Sequence, residues 1–312
     1  MPSLSQQQQQ QQNRPPMSTA SFNRRILNNA VARILLGLVI CVIVFVLAQQ
    51  LTAKLFEVFP LDRNSRNLLK GLVASAAVLL AYRGFYGRIE HRAVTELSLR
   101  GRAGTIGAGL GLGALLQGLA MLVIALFGQV QVLAVNPVAS LIIPLTVAFS
   151  VAIFEEVLMR GILFRIAEEK LGSYLALAVS SVIFGLLHLV NPGATLLSGL
   201  CVVVAGGVFG LAYVATRSLW FPIALHFAWN FMQSGIFGAV TSGNDNTTSL
   251  LTTKLAGSTL ITGGTFGPEA SIQTVLVLLV AAGLLHRKAQ SRLVAPRWKS
   301  KAAQPNDLVM AR

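Results

Sequence analysis

The chain has 312 residues, with 25 Lys and Arg against 11 Asp and Glu, a formal net charge of +14, and 12% charged beside 54% hydrophobic side chains. A soluble domain carries about 25% charged residues, so this composition, with a mean hydropathy of +0.67, excludes a water-facing globule and describes a chain whose solvent is lipid. Cys41 and Cys201 both lie inside apolar runs, which excludes a disulfide framework and a CxxC metal or redox site.

Residues 1–22 hold a Gln run from Gln6 to Gln12 followed by Asn, Arg and Pro. Such a stretch has no apolar surface to bury and reads as a disordered cytoplasmic tail. Eight hydrophobic segments follow, at about 31–53, 66–86, 104–128, 138–165, 172–190, 195–215, 219–239 and 270–287, most of them near the 20 residues a span requires. They make residues 23–288 a transmembrane helical domain. The expected fold is an all-α membrane protein, a bundle of about eight transmembrane helices. The first segment mimics a signal peptide, with Val46-Leu47-Ala48 as a weak cleavage site, but its long leader favours a retained anchor. Residues 87–102 read as a polar, partly interfacial helix. The glycines 104, 107, 109, 111 and 113 lack the Lys-Ser/Thr of a phosphate loop and read as close helix packing. Asn246-Thr-Thr248 is a sequon of the kind that arises by chance.

The basic residues cluster between spans, with no nucleic-acid-binding motif, so nucleic acid is not an expected partner. With both termini cytoplasmic, inside segments hold 20 Lys and Arg and outside segments five. That bias supports an even number of spans in an integral protein of a plasma membrane. The basic tail, 289–312, is expected at the anionic lipid of the inner leaflet.

Few ionisable groups fall inside the spans. Glu155, Glu156 and Arg160 lie in the fourth, His188 in the fifth and His226 in the seventh. A charge at the centre of a membrane helix costs about 2.5–3.5 kcal/mol, so each such group needs a partner or a task. Glu156 and Arg160, four apart, share a helix face and can pair. Glu155 lies about 140° from Arg160 and is left to meet another helix. The Glu-Glu-x-x-x-Arg unit also reads as a structural lock between helices, the reading favoured for Glu156 and Arg160 because a paired intramembrane charge is already explained. Phe184 and His188 share a face, as do His226 and Asn230. Measured at 1.5 Å per residue, Glu155 is about 15 Å deep, His226 about 13 Å, Asn230 about 20 Å and His188 about 24 Å. Levelling His188 with the others requires a tilt or a recessed loop at Gly172.

A carboxylate and an imidazole can together take a proton from water and return one to a leaving amine. A second His and an Asn amide can donate to the oxyanion of a hydrated carbonyl. Glu155, His188 and His226 are also a zinc ligand set with an open position, so a divalent metal such as zinc stays open as a cofactor. A proton-coupled transporter with Glu155 and the histidines as a relay is a competing reading. A non-enzymatic immunity or scaffold protein is another.

The ordered set Glu155-Glu156-x-x-x-Arg160, Phe184-x-x-x-His188 and His226-x-x-x-Asn230 resembles the CAAX-protease and bacteriocin-processing family of intramembrane endopeptidases. That family includes the type II CAAX prenyl endopeptidases. The resemblance covers about residues 145–235, the expected catalytic core. Gly263-Gly-x-x-Gly-Pro-Glu-Ala-Ser271 resembles a bacterial subgroup, which points to a bacterial plasma membrane. The resemblance implies a polar intramembrane cavity in which Glu155 and His188 activate water and His226 and Asn230 stabilise the oxyanion. Glu156, Arg160 and Phe184 would support the site. The implied substrate is a peptide or protein with a membrane-proximal cleavage site, prenylated in the eukaryotic case.

Overall fold

A computed structural model describes residues 29–245 and 248–297. The Gln-rich tail, the sequon's Asn246 and most of the basic tail lie outside the described residues. Eight long helices account for the eight hydrophobic segments. They are α1 (Ala30–Glu57), α2 (Arg63–Ile89), α3 (Ala103–Leu126), α4 (Ile142–Glu156), α5 (Arg165–His188), α6 (Leu196–Thr216), α7 (Trp220–Asn230) and α8 (Ile272–Ala289). Wider π-helical turns extend α4 over Val157–Phe164 and α7 over Phe231–Ile236. Six stretches are long and apolar enough to cross a membrane, one of them the 51 residues Val138–His188. That stretch holds two crossings and the extended α7 adds a shorter one, so the described residues carry the expected eight-helix membrane bundle.

Local chemistry starts and stops these helices. Asn29 Oδ1 accepts the backbone N–H groups of Val31 and Ala32, and Asp62 Oδ1 those of Asn64 and Ser65, capping α1 and α2. Thr195 and Ser198 form a reciprocal capping box on α6. Within α5, Gly172 (φ 73°, ψ 170°) breaks the helix, so Arg165–Leu171 continues one crossing and Ser173–His188 makes the next. A Cβ at Gly172 would lie 2.8 Å from the Val294 carbonyl, and Ser173 N–H donates to that carbonyl at 2.9 Å. The chain therefore turns at Gly172, and the segment after α8 packs against that turn.

Helix α6 is the centre of the bundle, with 67% of its apolar window buried against 28–39% for the other five stretches. It packs on α5 and α8, while α3 packs on α7, α1 on α2, and α4 on both α2 and α7. Exposed Leu35, Val39, Ile43 and Leu47 on α1, and Leu115, Leu119 and Leu122 on α3, form faces suited to lipid. Two of the six glycines of α3 explain its close approach to α7. A Cβ on Gly113 would stand 2.2 Å from the Leu225 carbonyl, and one on Gly109 2.7 Å from that of Phe221. Gly104, Gly107 and Gly111 face open space, so the expectation of close packing holds for the pair spaced as Gly-x-x-x-Gly.

Two features depart from the sequence reading. Residues 87–102 do not form an interfacial helix: α2 ends at Ile89 and a single 3-10 turn, Thr95–Leu97, follows. The acids of this segment are drawn inward instead. Glu90 pairs with Arg33 at 3.0 Å, Arg165 at 2.9 Å and Arg92 at 2.6 Å, and Glu96 with Arg92 at 2.7 Å and the Tyr82 hydroxyl at 2.5 Å. Burial works to raise both carboxyls, yet these guanidinium and hydroxyl donors prevail and hold them below the usual carboxylate range. The second departure is a two-stranded antiparallel ribbon between β1 (Val130–Val135) and β2 (Leu251–Leu255), with an irregularity between Val132 and Ala134. It joins two loops at the end of the bundle opposite the ion-pair cluster.

Candidate active site

Glu155 and Glu156 occupy the last turn of α4, immediately before the π-helical segment. Widened turns leave carbonyls open to side chains, and the Gly161 carbonyl accepts from the Tyr82 hydroxyl at 3.0 Å and from Arg165 Nε at 2.8 Å. Arg160, fully buried, donates to Glu156 Oε1 at 2.8 Å and to the Gly206 carbonyl of α6 at 2.9 Å. Its guanidinium lies 4.9 Å from the Phe184 ring centre and 5.2 Å from that of Phe209. The i,i+4 pair expected from spacing is present. It is also a lock, since it joins α4 to α5 and α6.

Glu156 has a second partner. Its Oε1 meets His226 Nδ1 at 2.9 Å, and a carboxylate can only accept, so Nδ1 carries the proton. His226 Nε2 then faces Glu155, whose Oε2 is 3.9 Å away. That oxygen is buried and has no hydrogen-bond partner in the protein. The gap is too long for a direct hydrogen bond. His188 is fixed in the same manner: its Nδ1 lies 2.8 Å from the Phe184 carbonyl, again an acceptor only, which leaves Nε2 as the free nitrogen. The Phe184 ring meets the His188 ring edge to face at 4.5 Å, and Phe209 stacks on His226 at 4.6 Å.

These groups share one void. A cavity of about 410 Å³ is lined by Glu155, His188, His226, Asn230 and the loop residues Asn191, Thr241, Ser242 and Asn244, with Val147, Ala148 and Val151 on the α4 side. An apolar annex of about 170 Å³ opens between α4 and α5, past Phe154, Leu158 and Leu187. A hollow of about 30 Å³, enough for a water or two, continues the wall from His188, His226 and Asn230 to Ser242 and Glu269. The four residues named from the sequence as chemically active thus line a single cavity, with Glu156, Arg160 and Phe184 behind it. His226 is the imidazole that stands closest to Glu155 among the ion-pair contacts; His188 joins through the shared wall.

Sequence reasoning missed Glu269, placing it in a loop between spans. The 3-10 turn Pro268–Ala270 carries its side chain into the bundle, where the residue is 9% exposed. Burial raises this carboxyl above the usual carboxylate range, against the lowering effect of the Ser242 hydrogen bonds and of His188. The Gly-Pro-Glu-Ala-Ser run was the one signal that pointed to it. Among the described residues no three His, Cys, Asp or Glu side chains stand together at metal-ligand spacing. Glu155, His188 and His226 have the donor chemistry for zinc but are not assembled into a cradle, so no step below runs through a metal.

Comparison with known proteins bears on the same stretch. The family model described as type II CAAX prenyl endopeptidase Rce1-like matches residues 137–232, which hold all three motifs. The chain is similar to this family. A curated relative, the "Putative membrane peptidase YdiL" of Bacillus subtilis (strain 168), is 36% identical over 78 residues, 25% of this chain and 30% of that protein. The chain thus covers under a third of that relative's length. No solved structure matches this chain. The similarity to the Rce1-like family falls on the helices that wall the cavity, α4 to α7.

Proposed function

We propose that this chain is an intramembrane endopeptidase that hydrolyses peptide bonds of membrane-associated or lipidated substrates. The observation that supports it is the single cavity whose wall carries Glu155, His188, His226 and Asn230 together. His226 enters the step protonated on both nitrogens, and Glu155 takes a proton from a water in the cavity as the water oxygen attacks the substrate carbonyl. His226, in its charged form, presents Nε2–H to the resulting oxyanion while Nδ1–H stays on Glu156, and the Asn230 amide adds a second donor. The C–N bond then breaks. The proton that Glu155 took from water passes to His188 Nε2, the ring nitrogen of His188 not held by the backbone, and from there to the leaving nitrogen. Purified protein incubated with peptide and prenyl-peptide libraries should cleave a subset, and His188→Ala should lower the rate by about 10²-fold or more. A His188→Ala variant that turns over at the full rate would reject this mechanism.

The cavity mouth, at Asn191 and Thr241 to Asn244, lies at the end of the bundle away from Arg33, Arg92, Arg165, Arg217 and Arg292. With the basic end in the cytoplasm, the start of α1 and the end of α8 face it and the substrate enters from the opposite side. In intact cells an impermeant maleimide should label Lys254→Cys, and Arg100→Cys only after lysis; both native cysteines are buried. The reverse pattern would overturn this orientation.

A further inference from the structure

Glu269 lies outside the three motifs, yet it lines the small hollow shared with His188, His226 and Asn230. Its Oε1 accepts the Ser242 N–H at 2.6 Å and the Ser242 hydroxyl at 2.7 Å. Its Oε2 accepts Gln233 Nε2 at 3.0 Å. Each contact leads to a segment that carries a residue of the site. Gln233, fully buried, follows Asn230 by three residues in the π-helical extension of α7 and also donates to the Val240 carbonyl at 2.7 Å. Ser242, held at a positive φ of 50°, turns its carbonyl to the Asn191 side-chain amide at 3.0 Å. Asn191 follows His188 by three residues, and its backbone N–H donates to the His188 carbonyl at 3.2 Å.

We propose that Glu269 is a positioning residue that ties the segment bearing Asn230 to the segment bearing His188, through Gln233 on one side and Ser242 and Asn191 on the other. The inference builds on the endopeptidase reading, but the geometry it describes exists without substrate. Among the described residues no side-chain hydrogen bond joins His188 to Asn230 directly. A carboxylate with three donors supplies the connection, since each donor is oriented by the same two oxygens. Losing it would leave the Ser242 N–H buried without an acceptor and Gln233 Nε2 held by the Val240 carbonyl alone, and the cheapest relief is movement of the 238–245 loop.

Hydrogen exchange of the full-length protein in detergent, read by mass spectrometry, tests the tie without substrate. Glu269→Ala should speed exchange at least tenfold in peptides covering 238–245 and 189–194, while peptides of α1 and α2 keep the parent rate. Glu269→Gln, which keeps an acceptor for Ser242, should restore most of the protection. Parent-like exchange in both peptides of Glu269→Ala would overturn the proposal. With a cleaved peptide in hand, Glu269→Ala should lower kcat about tenfold or more with KM within about threefold, and Asn191→Ala should do the same. The double variant should be no slower than the slower single one, because both break one connection. Multiplying defects would also overturn the tie. Absence of cleavage by the parent chain would instead reject the endopeptidase reading and leave the exchange result standing. Should Glu269→Ala not fold, Asn191→Ala and Glu269→Gln carry the same comparison.

Discussion

Glu155→Gln is expected to lower cleavage by about 10³-fold or more while the protein keeps its fold. The substitution preserves shape and size, and the oxygen it replaces, Oε2, makes no hydrogen bond that would be lost. The side chain is also 25% exposed to the cavity, so its packing changes little. What disappears is the lone pair that takes a proton from water, because an amide cannot act as a base. The thermal midpoint of the variant in detergent should stay within about 2 °C of the parent. A rate above a tenth of the parent's, measured on any peptide the parent cleaves, would remove Glu155 from the mechanism and with it the central assignment.

Arg160→Leu is expected to act on the fold first. Arg160 and Glu156 are both fully buried, and Glu156 Oε1 is shared between the guanidinium and His226 Nδ1. Removing the cation leaves a buried carboxylate short of its main partner, at a cost of about 3–5 kcal/mol. For a chain of this size that corresponds to a fall of roughly 6–12 °C in thermal midpoint. The double variant Glu156→Gln/Arg160→Met removes both charges and should recover more than half of that loss, since a buried pair replaced as a unit is close to neutral. Its cleavage should stay low, because His226 then lacks the charged acceptor that fixes its Nδ1 proton. A midpoint for Arg160→Leu equal to the parent's would show that the pair is not a lock.

This pair illustrates how two sequence readings merged. Spacing alone could place Glu156 beside Arg160, and it left open whether the unit was structural or chemical. Glu156 serves both ends at once, locking α4 to its neighbours through Arg160 and orienting His226 across to α7. No helical arithmetic on one segment contains that second contact, because it joins residues 70 positions apart in sequence.

Hydrophobic length, the distribution of Lys and Arg and the four-residue spacing of polar groups were enough to define the eight spans, their approximate ends and the candidate residues of the cavity. These are properties of single helices in lipid, where each segment satisfies its own backbone and must account for each charge it carries. The tertiary structure decided what depends on neighbours. It broke the helix at Gly172, turned 87–102 from a membrane-surface helix into an ion-pair cluster, joined 130–135 to 251–255, and drew Glu269 from an apparent loop to the wall beside His188. In each case the deciding energy is an interaction between segments far apart in the chain, which a periodicity within one segment does not encode.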